Sequence, residues 1–184
     1  MPLDHGYALY GAISRLLEGP GKPWLHESHE VGIHAIRGRF AGRGVLALTS
    51  RSELVIRAPE DWIDRFLPLA GQGVEIEGHA IELGFPVTRG LVPTTALYAH
   101  RVTTRNGQDE ARFDAEIARR LSEEGIRGRP VRGPRRVFRV RDKRVVAHAL
   151  LISELDANES LWLQERGLGG RRKLGCGVFL PWTP

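Results

Sequence analysis

The chain has 184 residues with an ordinary apolar share of 41%, enough for one mid-sized domain or two small ones around a proper core. Its net charge of +5 is unevenly placed: residues 1–100 carry nine Lys or Arg against eleven Asp or Glu, and residues 101–184 carry eighteen against eleven, so the second half is the one that attracts a polyanion. The single cysteine, Cys176, excludes an intrachain disulfide and a cysteine-based zinc site and fits a reducing cytoplasm, while the absence of a long apolar run or a basic leader makes the chain read as soluble and untargeted.

Asp4 is placed to cap a first helix, over about Asp4–Glu18, in which Tyr7, Leu9, Tyr10, Ile13, Leu16 and Leu17 recur at helical spacing; Gly19-Pro20-Gly21 ends it. Short strands follow at Val31–Arg37, Val45–Thr49 and Glu53–Arg57 between glycine-rich turns. Pro59 opens a second helix through Trp62, Ile63, Phe66 and Leu67 to Gly71, and Val74–Glu77 with His79–Leu83 reads as a hairpin about Gly78. The stretch Gly84–Thr95, rich in Pro and Gly, is the expected linker, which sets two domains at 1–90 and 91–184.

The second half continues with a strand at Leu97–Thr104, a turn at Asn106-Gly107, and a helix at about Asp109–Glu124 that buries Phe113, Ile117, Ala118 and Leu121. Strands at Arg136–Arg141 and Val145–Ser153 are joined by Asp142-Lys143. Asn158 then caps a short helix through Leu161, Trp162 and Leu163, Gly167 stops it, and Gly177–Leu180 is the last strand. With Pro130–Arg132 counted beside the second strand, the order is β-α-β-β-α-β, the ferredoxin-like order, and the first half repeats it without an opening strand. The fold class expected is therefore α+β, two tandem ferredoxin-like modules of the kind found in RRM-type RNA binders.

Two segments suit a polyanion. In Gly167-Leu168-Gly169-Gly170-Arg171-Arg172-Lys173-Leu174-Gly175-Cys176-Gly177, glycines bracket three consecutive cations; glycine lets backbone N–H groups approach a phosphate, and the cations add long-range attraction. The same pattern also suits a flexible surface loop. It lacks the Gly-Lys-Ser/Thr ending of a Walker loop, and it follows a helix where a dinucleotide fingerprint would follow a strand. In Arg127–Arg144 nine of eighteen residues are Lys or Arg and only Asp142 is acidic. There Arg139 and Arg141 alternate with Phe138 and Val140, so one strand face can be cationic while the other enters the core. Arg135, Arg136, Arg139, Arg141, Lys143 and Arg144 are the candidate RNA contacts of this run, beside Gly167, Gly169, Gly170, Arg171, Arg172, Lys173, Gly175 and Gly177 of the loop.

For catalysis, His26, His29 and His34 lie between the first helix and the next strand, near Tyr7, Tyr10 and Ser14 in sequence. An imidazole titrates near neutrality and can take a proton from a ribose 2′-hydroxyl or give one to a leaving 5′-oxygen. His26-Glu27-Ser28-His29 is not the His-Glu-x-x-His zinc motif, and no acidic cluster supports it, so neither metal nor other cofactor is expected. His5 is expected to organise the start of the first helix, and His79, His100 and His148 fall in strands without visible partners.

The terminal loop matches Gly-hydrophobic-Gly, five residues, Gly-hydrophobic-Gly from Gly167 to Gly177, and so resembles the glycine-rich loop of the CRISPR-associated RAMP superfamily. Taken with Asp4-His5-Gly6-Tyr7-Ala8-Leu9-Tyr10, Val31-Gly32-Ile33-His34, Leu69-Ala70-Gly71 and Glu159-Ser160-Leu161, it resembles the sixth CRISPR-associated protein family in its Myxan subtype. The resemblance implies a metal-independent endoribonuclease that cuts CRISPR precursor transcripts within their repeats to give guide RNAs. In that chemistry the 2′-hydroxyl attacks the adjacent phosphate and leaves a 2′,3′-cyclic phosphate. Trp24-Leu25-His26-Glu27 resembles the family's Leu-His-Glu segment, which puts His26 first as the catalytic residue, ahead of His29 and His34. Ser14 stands where some members carry an assisting tyrosine, so that role passes to Tyr7 or Tyr10 or is absent. Family members begin with an apolar strand, and this chain starts almost at the Asp4-His5-Gly6 helix. Partners implied are repeat or guide RNA and other CRISPR effector subunits. The rival readings are a non-catalytic RAMP subunit that holds guide RNA, which would not need the histidine segment, and an unrelated ferredoxin-like RNA binder, which would show paired strand aromatics where this chain has Phe138 alone.

Overall fold

A computed structural model describes residues 1–18 and 23–182. The Gly19-Pro20-Gly21 stop signal lies outside the described residues. The chain divides into two compact units, Met1–Arg89 and Gly90–Pro184, each with helices and small antiparallel sheets.

The first unit opens with α1 (Gly6–Leu17) and the one-turn α2 (Trp24–Glu27). The N-cap of α1 is His5 rather than Asp4, and the helix starts without a side-chain cap. The buried His5 ring is committed elsewhere: Nδ1 lies 2.9 Å from the Pro2 carbonyl, and Nε2 accepts the Ile36 N–H at 2.9 Å. Strands are shorter than their apolar runs suggest. β1 (Gly32–Ile33) pairs with β4 (Ile56–Arg57), and β2 (Arg39–Phe40) with β3 (Leu46–Ala47). Where an opening strand was expected to be missing, Pro2 bridges antiparallel to Val45, with the Leu46 N–H donating to the Met1 carbonyl at 2.8 Å and the Leu3 N–H to that of Gly44 at 2.7 Å. The segment after Pro59 winds as a 3-10 helix, Glu60–Leu69, containing Pro68, which has no N–H for the helical ladder. β5 (Gly73–Ile76) and β6 (His79–Glu82) form the expected hairpin, closed by Glu77 and Gly78 at φ of 48° and 78°, the pair of positive values that a two-residue primed turn requires. Leu9, Ala12 and Ile13 of α1 bury one helical stripe against Leu25, Ile33, Leu46, Leu69, Val74 and Ile76.

The second unit runs β7 (Leu97–Val102), α3 (Glu110–Glu123), β8 (Arg129–Val140), β9 (Lys143–Ser153), α4 (Ala157–Arg166) and β10 (Leu180–Pro181). One antiparallel sheet in the order β10-β7-β9-β8 joins all four strands. The final strand is Leu180–Pro181, later than Gly177–Leu180, because Gly177 is spent on the loop before it. β8 begins at Arg129, seven residues before the apolar alternation shows it, since the sheet pairs Arg129 with Ser153 and Pro130 with Ile152. Asp109 caps α3 by accepting the Arg112 N–H at 3.0 Å. The cap of α4 is Asp156, not Asn158: Asp156 accepts the Glu159 N–H at 2.9 Å while Glu159 accepts the Asp156 N–H at 3.0 Å, a capping box written in the sequence as Asp-Ala-Asn-Glu.

Strand alternation sorts the sheet's two faces. Leu150 and Ile152 of β9 join Phe113, Ile117 and Leu163 of the helices in the main core, and the His148 ring lies 4.7 Å from Phe113. On the other face Phe138 and Ala147 pack with Cys176, which the glycine-rich loop carries back onto the sheet.

Candidate functional site

The first unit holds an open hollow of about 520 Å³, lined by Tyr7, Tyr10, Ser14 and Arg15 of α1, by Glu18 and His26, and by Glu75 and Glu77. Helical spacing puts Tyr7, Tyr10 and Ser14 on one stripe, opposite the one that Leu9 and Ile13 bury. His26 is brought to that stripe by Trp24. Its ring meets Trp62 and Phe66 edge to face at 5.9 and 5.5 Å, and its Nε1 donates to the Leu17 carbonyl at 3.3 Å. The aromatic anchor thus ties α2 to the end of α1, two residues before the imidazole.

The Tyr10 hydroxyl lies 3.0 Å from His26 Nδ1. Burial, and then the Glu18 charge, push the Tyr10 hydroxyl above its ordinary pKa, so the phenol keeps its proton near neutrality. Glu18 accepts the His26 backbone N–H at 2.9 Å on one oxygen and the Ser14 hydroxyl on the other. Of the three candidate histidines, only His26 lines this hollow; His29 is exposed elsewhere, and His34 is buried. Burial, with Arg57 and Arg37 adding repulsion, lowers His34 to about 4, so it stays uncharged at neutral pH. The involvement of Arg15 and Glu18 is not visible in the sequence, because both depend on how the chain returns from α1 to α2.

Gly167 to Gly177 forms a closed loop whose glycines are demanded by its own backbone. Gly167 and Gly177 both sit at φ 65°; a Cβ on the first would lie 2.2 Å from the Gly177 oxygen, and one on the second 2.1 Å from the Leu168 oxygen. A Cβ on Gly169, at φ 86°, would lie 2.5 Å from the Thr103 carbonyl oxygen, and Gly175 caps the 3-10 turn Arg172–Leu174. The two hydrophobic positions, Leu168 and Cys176, are buried. What the loop presents outward is Gly170, Arg171, Arg172 and Lys173, with an Arg172 guanidinium N–H bonded back to the Arg166 carbonyl. Gly177→Ala is therefore expected to cost about 2–5 kcal/mol of stability in chemical denaturation, from the left-handed backbone and the overlap together. Gly170→Ala, with nothing closer than 3.9 Å, is expected to stay within about 0.5 kcal/mol of the parent. Equal losses in the two would contradict this reading.

The basic run divides in two. Arg127 pairs with Asp156 at 3.1 Å, Arg129 with Glu154 at 3.9 Å, and Arg132 with Glu110 and Asp114 at 2.9 Å each, so its first three cations are balanced by acids of their own unit. Arg135, Arg136, Arg139, Arg141, Lys143 and Arg144 lie on the outer part of the β8–β9 hairpin, past the last β7 partner at His148. Arg139 stands directly across from Arg144 in the strand register. Arg101, beside the loop, stacks over Phe138 at 4.9 Å, and burial with the Arg136 and Arg101 charges pushes His100 down to about 4. The strand histidines thought partnerless have partners: His79 Nδ1 lies 2.9 Å from the Glu77 carbonyl, and His148 Nε2 2.9 Å from that of Gly107. Among the described residues no three His, Cys, Asp or Glu side chains gather as metal ligands, and no helix is long and apolar enough to cross a membrane.

This architecture recurs in solved structures. It superposes at a TM-score of 0.63 on the structure described as a Cas6-related gene product of Pyrococcus furiosus, with 16% identity over 98% of this chain and 91% of that one. A structure titled as an RAMP protein binding different RNA substrates matches at 0.64, with 15% identity over 97% of this chain and 92% of that one. The fold is thus that of the RAMP proteins. Residues 1–184 match the family described as Cas6 Crispr, and the chain is 40% identical over 181 residues to the CRISPR-associated endonuclease Cas6 of Myxococcus xanthus strain DK1622, covering 98% of this chain and 76% of that protein. The chain belongs to the Cas6 family.

Proposed function

We propose that the protein is a metal-independent endoribonuclease that cleaves CRISPR precursor transcripts within their repeats, built as two tandem ferredoxin-like modules and working in the cytoplasm. The observation that carries this reading is the Tyr10–His26 pair at 3.0 Å in the hollow of the first unit, in a chain of the Cas6 family. His26 takes the proton of a ribose 2′-hydroxyl, the new O2′–P bond forms as the P–O5′ bond breaks, and the departing oxygen takes up a proton. The products are a 2′,3′-cyclic phosphate and a 5′-hydroxyl. Arg15 at the hollow's edge stabilises the charge that builds on the phosphate, and Tyr10 holds the imidazole in place. Affinity comes from the second unit, from Arg171, Arg172 and Lys173 of the loop and from Arg135, Arg136, Arg139, Arg141, Lys143 and Arg144 of the hairpin, which neutralise phosphates.

The test is incubation of labelled repeat RNA with the purified protein. One cut per repeat is expected; a gel shift with no cut would instead assign the chain the role of a guide-RNA-holding subunit.

A further inference from the structure

Residues 1–100 are acidic as a whole, yet four of their nine Lys or Arg, namely Arg37, Arg39, Arg43 and Arg51, fall within residues 37–51, where none of their eleven Asp or Glu lies. All four side chains are exposed, and among the described residues no acid pairs with any of them. They cluster about the β2–β3 hairpin, which turns through Gly42-Arg43-Gly44 and is closed by the Val45 N–H donating to the Gly42 carbonyl at 2.9 Å. The three turn residues sit at φ of 87°, 47° and 74°. Glycine adopts such angles freely and arginine does not, so the hairpin holds a cation at its tip against the preference of its own backbone. Strain of this kind is a mark of functional positions.

Phe40 lies on the same hairpin and is 62% exposed, although Leu46 directly across from it is only 5% exposed. Among the described residues its ring meets no other aromatic ring and no guanidinium. A large aromatic left in water among cations without acids offers what an unpaired nucleotide needs: a π-face for its base and positive charge for the phosphates on either side. In a chain of the Cas6 family the polyanion to hand is RNA.

We propose that the β2–β3 hairpin is a further RNA contact, in which an unpaired base stacks on Phe40 while Arg39 and Arg43 neutralise the flanking phosphates. The inference rests on the reading of the chain as a repeat-RNA binder, and it adds a single-strand subsite in the first unit to the phosphate grip of the second. Every base has a π-face, so the hairpin selects unpaired nucleotides rather than a sequence.

The experiment is photocrosslinking of the full chain to a short, unstructured oligomer of 5-iodouridine, with the joined residue found by mass spectrometry. The expected result is a crosslink at Phe40 that excess repeat RNA suppresses. A parent protein that binds the oligomer without joining it at Phe40 would overturn the proposal, and this arm needs no variant. Affinity for a plain uridine oligomer is then measured across a salt series. Phe40→Ala is expected to bind about fivefold or more weakly at every salt with an unchanged slope, and Phe40→Trp to bind as the parent does, since stacking is not an ionic contact. Arg39→Ala combined with Arg43→Asn is expected to flatten the log–log slope by about 1.4, roughly 0.7 for each single-strand phosphate contact. Asn tolerates the left-handed backbone at position 43, so that turn keeps its shape. Parent-like affinity in Phe40→Ala would overturn the stacking contact and leave the hairpin to a protein partner; an unchanged slope in the double variant would overturn the phosphate contacts. In either case a parent protein that still binds repeat RNA keeps the underlying reading, which falls only if the parent binds no repeat RNA at all.

Discussion

Replacing His26 with alanine is expected to slow cleavage by about a hundred- to ten-thousand-fold, the contribution of one well-placed proton-transfer group. Repeat affinity should change by no more than about twofold, since a side chain in the hollow of the first unit adds little to binding that rests on many phosphates. His29→Ala and His34→Ala are the internal controls. His29 is exposed outside the hollow, so its loss should leave the rate unchanged. His34 is buried and held near a pKa of about 4, so its loss should appear as reduced stability rather than as reduced chemistry. If His26→Ala cuts normally and one of the other two does not, the catalytic residue is reassigned; if all three cut normally, histidine catalysis in this segment is wrong.

The second large effect concerns binding. Changing Arg171, Arg172 and Lys173 together to alanine is expected to weaken RNA affinity and to flatten its dependence on salt, by about 0.7–0.9 in the log–log slope for each phosphate that is no longer neutralised. The cleavage rate at saturating protein should survive. The loop's backbone turns should survive as well, because they rest on Gly167, Gly169 and Gly177, although the Arg172 bond to the Arg166 carbonyl is lost. An unchanged slope would show that the loop does not touch the RNA backbone and would leave the hairpin cations to account for affinity.

The elements with strong local patterns were legible in the sequence. The helical stripe of Leu9 and Ile13, the stripe of Phe113, Ile117 and Leu121, and the Glu77-Gly78 turn all carry their own signals, because period and turn chemistry are local. Boundaries set by partners were not. Nothing near Arg129 marks a strand; its place is decided by Ser153 across the sheet. The cap of α4 was readable and misplaced: Asn158 is a good cap in isolation, but Asp156 with Glu159 satisfies two backbone donors at once and wins. The basic run looked uniform, and only the fold shows that Arg127, Arg129 and Arg132 are matched by acids distant in sequence. The spacing from Gly167 to Gly177 was legible, though the physical demand behind those glycines is backbone against backbone. Residue type nominated His26, His29 and His34 alike, and only the family resemblance put His26 first; the contacts of Glu18 with Ser14 and the His26 backbone were not legible, since they arise where the end of α1 meets α2.

The most direct measurement is cleavage of labelled repeat RNA in excess EDTA, followed by analysis of the new termini. An undiminished rate is expected, with upstream fragments ending in a 2′,3′-cyclic phosphate and downstream fragments beginning with a 5′-hydroxyl. Cutting that is lost in chelator and restored by magnesium, or fragments ending in a 3′-hydroxyl, would contradict the proposed mechanism.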